Sequence, residues 1–285
     1  MIKPVPYFKI LRPIQWLKNL MIYFPPFLGG AMFQPGLALR GFLPLFSFCM
    51  ASSATYILND ISDRNTDSCH PDKKSRPLPS GKISVAGASV LAVILGICAI
   101  VAAYSISMTF LLYLAAYVLL SVAYSCCLKQ FALIDIFCIS AGFLLRLEAG
   151  GAVFNIQISE WLFLSVFLLS IFLSTGKRLS EKYRLGGNAA DHRKALNAYP
   201  EGYLEGAMYM TGGSVLVTYT MYVISRQSDS LLYSVPLCCF GLLRYILRVQ
   251  SGSGGDPTES LTRDLPLFIV GLLWVLMVGW GIYGG

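Results

Sequence analysis

Residues Phe42–Leu58 read "FLPLFSFCMASSATYIL" and carry no charge, and Asn59–Gly81 follow at once as "NDISDRNTDSCHPDKKSRPLPSG", with four aspartates, two lysines, two arginines and a histidine. A bilayer core about 30 Å thick takes roughly 20 apolar residues per helix. The first stretch approaches that length, so the junction reads as a membrane helix opening onto a charged loop.

The rest of the chain repeats the pattern. Of 285 residues, 55% are hydrophobic and 13% charged, with a mean hydropathy of +0.63. A soluble domain carries about 25% charged residues, so the composition excludes an ordinary soluble enzyme and points to an all-α, polytopic membrane protein. Apolar stretches at 17–33, 41–58, 84–106, 109–127, 131–153, 160–176, 203–225, 231–250 and 265–283 predict nine transmembrane helices in a single domain over 1–285. "FPPFLGG" interrupts the first stretch, and the sixth is short.

The N-terminal bases Lys3, Lys9, Arg12 and Lys18 have no apolar run between them, so no cleavable signal is expected. "YFKILRPIQWLKN" reads as an interfacial lead-in with Trp16 at headgroup level. Cys49, Cys98, Cys126, Cys127, Cys138, Cys238 and Cys239 lie in or beside apolar spans without a CxxC pair and read as small apolar residues.

Charge bias orients the spans. With nine helices, one side collects nearly all the bases, among them Arg64, Lys74, Lys82, Lys129, Lys182, Arg184, Lys194, Arg248 and Arg263. The other side holds Arg40 and Arg226. The basic side is expected to face the cytoplasm, with the chain in the inner (plasma) membrane. Topology explains bases but not the acids that share their loops. "Asp256-Pro257-Thr258-Glu259" reads as a helix start, with Asp at the N-cap, Pro at N1 and Glu at N3.

Asp60, Asp63 and Asp67 are spaced i, i+3, i+7, one face of a helix that continues past the membrane, with Asn59 beside them. Three crowded carboxylates repel unless a cation sits among them. Hard oxygen donors suit Mg2+, which binds through carboxylates plus substrate phosphates. Asn59, Asp60, Asp63 and Asp67 are therefore the expected metal ligands, and Lys73 and Arg76 the groups that meet the remaining phosphate charge. A solvated, self-neutralising loop is the plain alternative. His70 could touch phosphate or simply precede Pro71 in a turn.

A second charged element, "STGKRLSEKYRLGGNAADHRKALNAY", ends the sixth span. Lys177 and Glu181 allow an i, i+4 ion pair, while Arg178 and Arg193 exceed what one glutamate needs. Both loops are expected to hold one anionic substrate. Arg146 and Glu148 lie inside the fifth span at i, i+2, so each needs its own partner, and Asp135 is expected to border the site.

"NDISDRNTD" resembles the first aspartate-rich motif of the UbiA superfamily of intramembrane transferases, a nine-helix bundle with a Mg2+–diphosphate site at a charged cytoplasmic cap. "LRPIQWLKNLMIYFPP", "IDIFCISAGFLLRLEAGG", "GKRLSEKYR" and "HRKALNAY" extend the resemblance over nearly the whole chain, to the polyprenyl-phosphate phosphoribosyltransferase branch. The resemblance implies a Mg-dependent transfer of 5-phosphoribosyl from phosphoribosyl diphosphate to a polyprenyl (decaprenyl-like) phosphate, releasing pyrophosphate, as in cell-wall precursor synthesis. Asp60, Asp63 and Asp67 are then catalytic through the metal. Arg12, Gln15, Lys18, Asn19, Asn59, Lys73, Arg76, Lys177, Arg178, Glu181 and Arg193 bind substrates. The loop after the sixth span has Lys177, Arg178 and Glu181 where prenyl-transferring relatives carry a second aspartate pair.

The alternatives are prenyl transfer from an isoprenyl diphosphate to an aromatic acceptor, and a transporter lined by Arg146 and Glu148. Charges gathered on one face of the membrane disfavour the transporter. No nucleic-acid partner is expected, and self-association is left open.

Overall fold

The structure, a computed structural model, describes residues 4–69, 73–185 and 194–284, and every regular element among them is helical. In chain order these are α1 (Pro4–Ile10), a 3-10 helix (Pro13–Tyr23), α2 (Phe24–Leu28), α3 (Leu37–Arg40), α4 (Phe42–Ser62), α5 (Arg64–Cys69), α6 (Val85–Ile106) and α7 (Met108–Cys126). A short 3-10 turn (Leu128–Gln130) leads to α8 (Ile134–Phe154), α9 (Glu160–Leu185), α10 (Lys194–Asn197), α11 (Tyr203–Ser225), α12 (Asp229–Leu232), α13 (Ser234–Gln250), α14 (Pro257–Arg263) and α15 (Leu265–Tyr283).

Among the described residues, seven helical segments are long and apolar enough to cross a membrane, at 37–62, 85–106, 108–126, 134–154, 160–184, 229–250 and 265–283. The expected nine are thus not confirmed in two places. The stretch 17–33 is not one helix: the 3-10 helix hands over to five-residue α2, which starts at Phe24-Pro25-Pro26 because proline lacks the N–H a helix interior requires. The stretch 203–225 is a 23-residue helix, but Glu205, Thr211, Ser214, Thr218 and Thr220 dilute its apolar character. The weak sixth span is the longest helix, α9 at 26 residues, because it runs on through "GKRLSEKYRL".

Packing divides the chain into two compact units. One comprises Met1–Phe24, Phe33–Lys129 and Leu145–Ile156. Its core joins Ile10, Ala54, Ile57, Leu78, Ile83, Ala88, Ala92 and Leu95. The 3-10 helix approaches α8 so closely that a Cβ on Gly150 would collide with the Ile22 carbonyl. Ser84 and Ser107 cap α6 and α7 by accepting from the amides of Gly87 and Phe110.

The other unit comprises Pro25–Met32, Gln130–Leu144 and Gln157–Gly285. Its core gathers Ile136, Ile171, Phe172, Leu179, Leu204, Met208, Tyr245 and Val249. Asp256 caps α14 by accepting from the amides of Thr258 and Glu259, as the sequence predicts. Asp264 caps α15 and accepts from Arg244 at 3.1 and 3.0 Å, a pairing that holds its carboxyl below the usual range. Tyr283 at the far end of α15 donates to the Phe27 carbonyl at 2.7 Å and accepts from the Met32 amide at 3.1 Å. On α15 itself only Val278 is buried. Leu265, Phe268, Leu272, Leu276 and Trp280 are at least half exposed, a surface that suits hydrocarbon and not water.

Candidate functional site

In the first unit the acidic stretch runs through a one-residue interruption of the helix at Asp63. α4 ends at Ser62, Asp63 adopts φ −91°, ψ 3°, and α5 restarts at Arg64. Helical backbone hydrogen bonds bridge this point, from the Asp63 amide to the Asn59 carbonyl at 2.9 Å and from the Asp67 amide to the Asp63 carbonyl at 2.8 Å, and the three carboxylates divide between two sets of partners. Asp60 and Asp67 are each 2% exposed and converge on one guanidinium. Arg76 Nη1 lies 3.3 Å from Asp60 Oδ1 and 2.7 Å from Asp67 Oδ2. Lys73 Nζ stands 3.4 Å from the other Asp67 oxygen. Asp63 pairs instead with Lys129, and Asn59 Nδ2 donates to its second oxygen at 3.1 Å.

Arg12 completes the cluster through an ion pair with Asp60 and lies over the Tyr56 ring, 5.2 Å from its centroid. Its backbone takes φ 54°, ψ 58° immediately before Pro13, a left-handed conformation that costs a non-glycine residue free energy and collects at functional sites. Gln15 and Lys18 are half-buried on the 3-10 helix. Asn19 does not join the acids. It is fully buried, donates to Cys49 Sγ and Ser52 Oγ, and accepts from Arg146 Nε at 2.8 Å. Arg146 thus finds the partner its burial requires, with the Tyr117 ring 4.3 Å from its guanidinium carbon.

The donor set fits a hard divalent cation: two buried carboxylates already surround a single positive group, and Asp63 and Asn59 add oxygen donors beside them. Among the described residues no three acidic, histidine or cysteine side chains gather as a ready-made metal cage.

The second unit carries its own charged cluster. Arg178, expected to face substrate, is 1% exposed, donates to Asp135 Oδ2 at 2.5 Å through Nε, and to Glu181 Oε2 at 2.9 Å through Nη1. Asp135 is completely buried and also accepts from the Tyr199 hydroxyl at 2.9 Å. Burial pushes that phenol well above its usual range, and the neighbouring Asp135 charge adds to the shift. The Leu133 amide, from a left-handed residue at φ 65°, donates to Tyr199 Oη. Lys177 pairs with Asp256 at 2.9 Å. Lys177 and Glu181 retain 35% and 24% side-chain exposure. Arg193 and His70 lie outside the described residues.

Sequence reasoning counted Lys129 only among the topology-setting bases. The signal that marks it is a lone cation in the three-residue 3-10 turn that follows the α7 cap, in "YSCCLKQ".

The chain matches the UbiA prenyltransferase family over residues 23–272. It is 30% identical to a decaprenyl-phosphate phosphoribosyltransferase of Mycolicibacterium smegmatis, over 96% of this chain and 92% of that protein. It is 31% identical to one of Corynebacterium glutamicum, over 96% and 86%. A UbiA homologue of Archaeoglobus fulgidus, solved bound to GPP and Mg2+, superposes with a TM-score of 0.76 at 21% identity, over 98% of this chain and 100% of that one. With that family matched over most of its length and with seven helices among the described residues long and apolar enough to cross a membrane, the chain is a multi-pass membrane transferase belonging to the UbiA prenyltransferase family.

Proposed function

We propose that the chain transfers a 5-phosphoribosyl group from phosphoribosyl diphosphate to a polyprenyl phosphate of decaprenyl type, releasing pyrophosphate, at the cytoplasmic face of the inner membrane. The observation that carries the reading is the buried Asp60–Asp67 pair ringed by Arg12, Lys73 and Arg76, in a chain about 30% identical to proteins named for this activity over nearly its whole length.

The chemistry asks little of side-chain acid–base groups. The nucleophile is a phosphate oxygen, already anionic at neutral pH. It attacks ribose C1 while the bond from C1 to the pyrophosphate oxygen breaks, the electron pair leaves on pyrophosphate, and C1 inverts. Asn59, Asp60, Asp63 and Asp67 would hold Mg2+, which neutralises charge developing on the leaving pyrophosphate. Arg12, Lys73 and Arg76 bind the diphosphate oxygens with charge-assisted hydrogen bonds. Gln15 and Lys18, on the helix that follows Arg12, contact the lipid phosphate. Lys177 and Glu181 reach solvent and contact substrate, and Arg178 holds Glu181 in place. Asn19 serves the site only indirectly, by fixing Arg146.

The family's description supports prenyl transfer, and the second reading is such a transfer from an isoprenyl diphosphate to an aromatic acceptor. One assay separates them. Purified protein with Mg2+ is given radiolabelled phosphoribosyl diphosphate and decaprenyl phosphate, or a labelled isoprenyl diphosphate and 4-hydroxybenzoate. Label entering the lipid phase from the first pair supports the proposal, and product from the second pair alone overturns it.

A further inference from the structure

Asp60, Asp63 and Asp67 are each already matched to a cation of the chain. Arg12 and Arg76 share Asp60, Arg76 and Lys73 share Asp67, and Lys129 takes Asp63 while its Nζ lies 3.4 Å from Asn59 Oδ1. These are the same oxygens that a divalent ion would use. A metal ion and a guanidinium cannot crowd onto one buried carboxylate without strong mutual repulsion, and low exposure weakens solvent screening of it.

We infer that Arg12, Arg76 and Lys129 are place-holding cations. They neutralise the acids while no metal–diphosphate complex is bound, and exchange onto diphosphate oxygens when it arrives. Lys129 thereby becomes a positioning residue for the leaving group alongside the two arginines. Two features fit exchange better than a fixed scaffold. The Arg12 and Arg76 side chains are 23% and 30% exposed, while their acceptors are 3% exposed, so the cations sit on the open side of the acids. Arg12 is also held in a left-handed backbone conformation, a strain that displacement can relax.

The inference rests on the metal–diphosphate reading above and adds a consequence to it. Metal alone must evict cations that have nowhere to go, so it binds weakly. Metal with diphosphate offers the evicted cations new oxygens, so the two bind with positive coupling, each tightening the other by the same factor.

The test reads binding, not turnover. Mn2+ binding to the purified full-length protein is followed by its electron paramagnetic resonance, first with Mn2+ alone and then with Mn2+ plus pyrophosphate. Wild type should bind Mn2+ at least tenfold more tightly when pyrophosphate is present. Arg76→Gln should bind Mn2+ alone several-fold more tightly than wild type and lose most of the pyrophosphate enhancement. Lys129→Gln should behave alike and serves if Arg76→Gln does not fold. Arg64→Gln removes the same charge from the exposed face of α5 and should change neither value. Exchange is overturned if Arg76→Gln and Lys129→Gln leave Mn2+ binding unchanged or weaker, or if Arg64→Gln tightens it equally. If wild type binds neither Mn2+ nor its pyrophosphate complex, the underlying metal–diphosphate reading fails instead.

Discussion

Arg178 and Asp135 form a sealed ion pair, Nε to Oδ2 at 2.5 Å, with side-chain exposures of 1% and 0%. Breaking a buried pair by removing one partner costs about 3–5 kcal/mol, because the other charge is left uncompensated. Arg178→Ala is therefore expected to lower thermal stability in detergent sharply, and Asp135→Asn less so, since the one amide oxygen still accepts from Arg178 while the amide nitrogen can donate to the Tyr199 hydroxyl. Wild-type stability in Arg178→Ala, with only donor affinity reduced, would return Arg178 to direct substrate contact.

Lys177 gives the opposite expectation. Its pair with Asp256 is 35% and 20% exposed, and such pairs contribute about 0–1 kcal/mol. Lys177→Ala should leave the melting temperature nearly unchanged while raising KM for phosphoribosyl diphosphate. Unchanged KM would reduce Lys177 to a surface tie between α9 and the cap of α14.

Asp60→Asn, Asp63→Asn and Asp67→Asn are each expected to reduce kcat by about 100-fold or more, the scale set by removing one transition-state charge stabiliser. EDTA should abolish activity and added Mg2+ restore it. Near-normal turnover in any two variants would sink the metal-site assignment.

The loops at 59–82 and 177–200 are expected on the cytoplasmic side, and Arg40 and Arg226 on the other, from the distribution of Lys and Arg. On a cysteine-free background, a cysteine at position 74 should resist a membrane-impermeant maleimide added to intact cells, and one at position 40 should react. Labelling of position 74 from outside would refute this orientation.

Much of this was legible in the chain. The uncharged run 42–58 announced a membrane helix, and the acids after it announced a site. Local spacing could not reveal the break at Asp63, because Asn59, Asp60 and Ser62 fit either a helix interior or its end. Nor could it reveal that Arg178 faces inward, since its partner Asp135 is 43 residues away and on another helix. Asn19 read as a substrate-binding amide for the same reason: its role depends on Arg146, 127 residues on. Pro25-Pro26 did carry a local signal, the missing amides that split the first expected span.

Tyr283 reaches back 256 residues to the Phe27 carbonyl and gives the Met32 amide its acceptor. A chain inserted into the membrane as it is synthesised makes residues 25–32 some 250 residues before Tyr283. During that interval the Met32 amide lacks this partner, and α15 has not yet docked. The turn after α2 thus acts as a latch that closes only once α15 has been made and docked, so a ribosome stalled before α15 emerges should leave that turn open to attack by a protease.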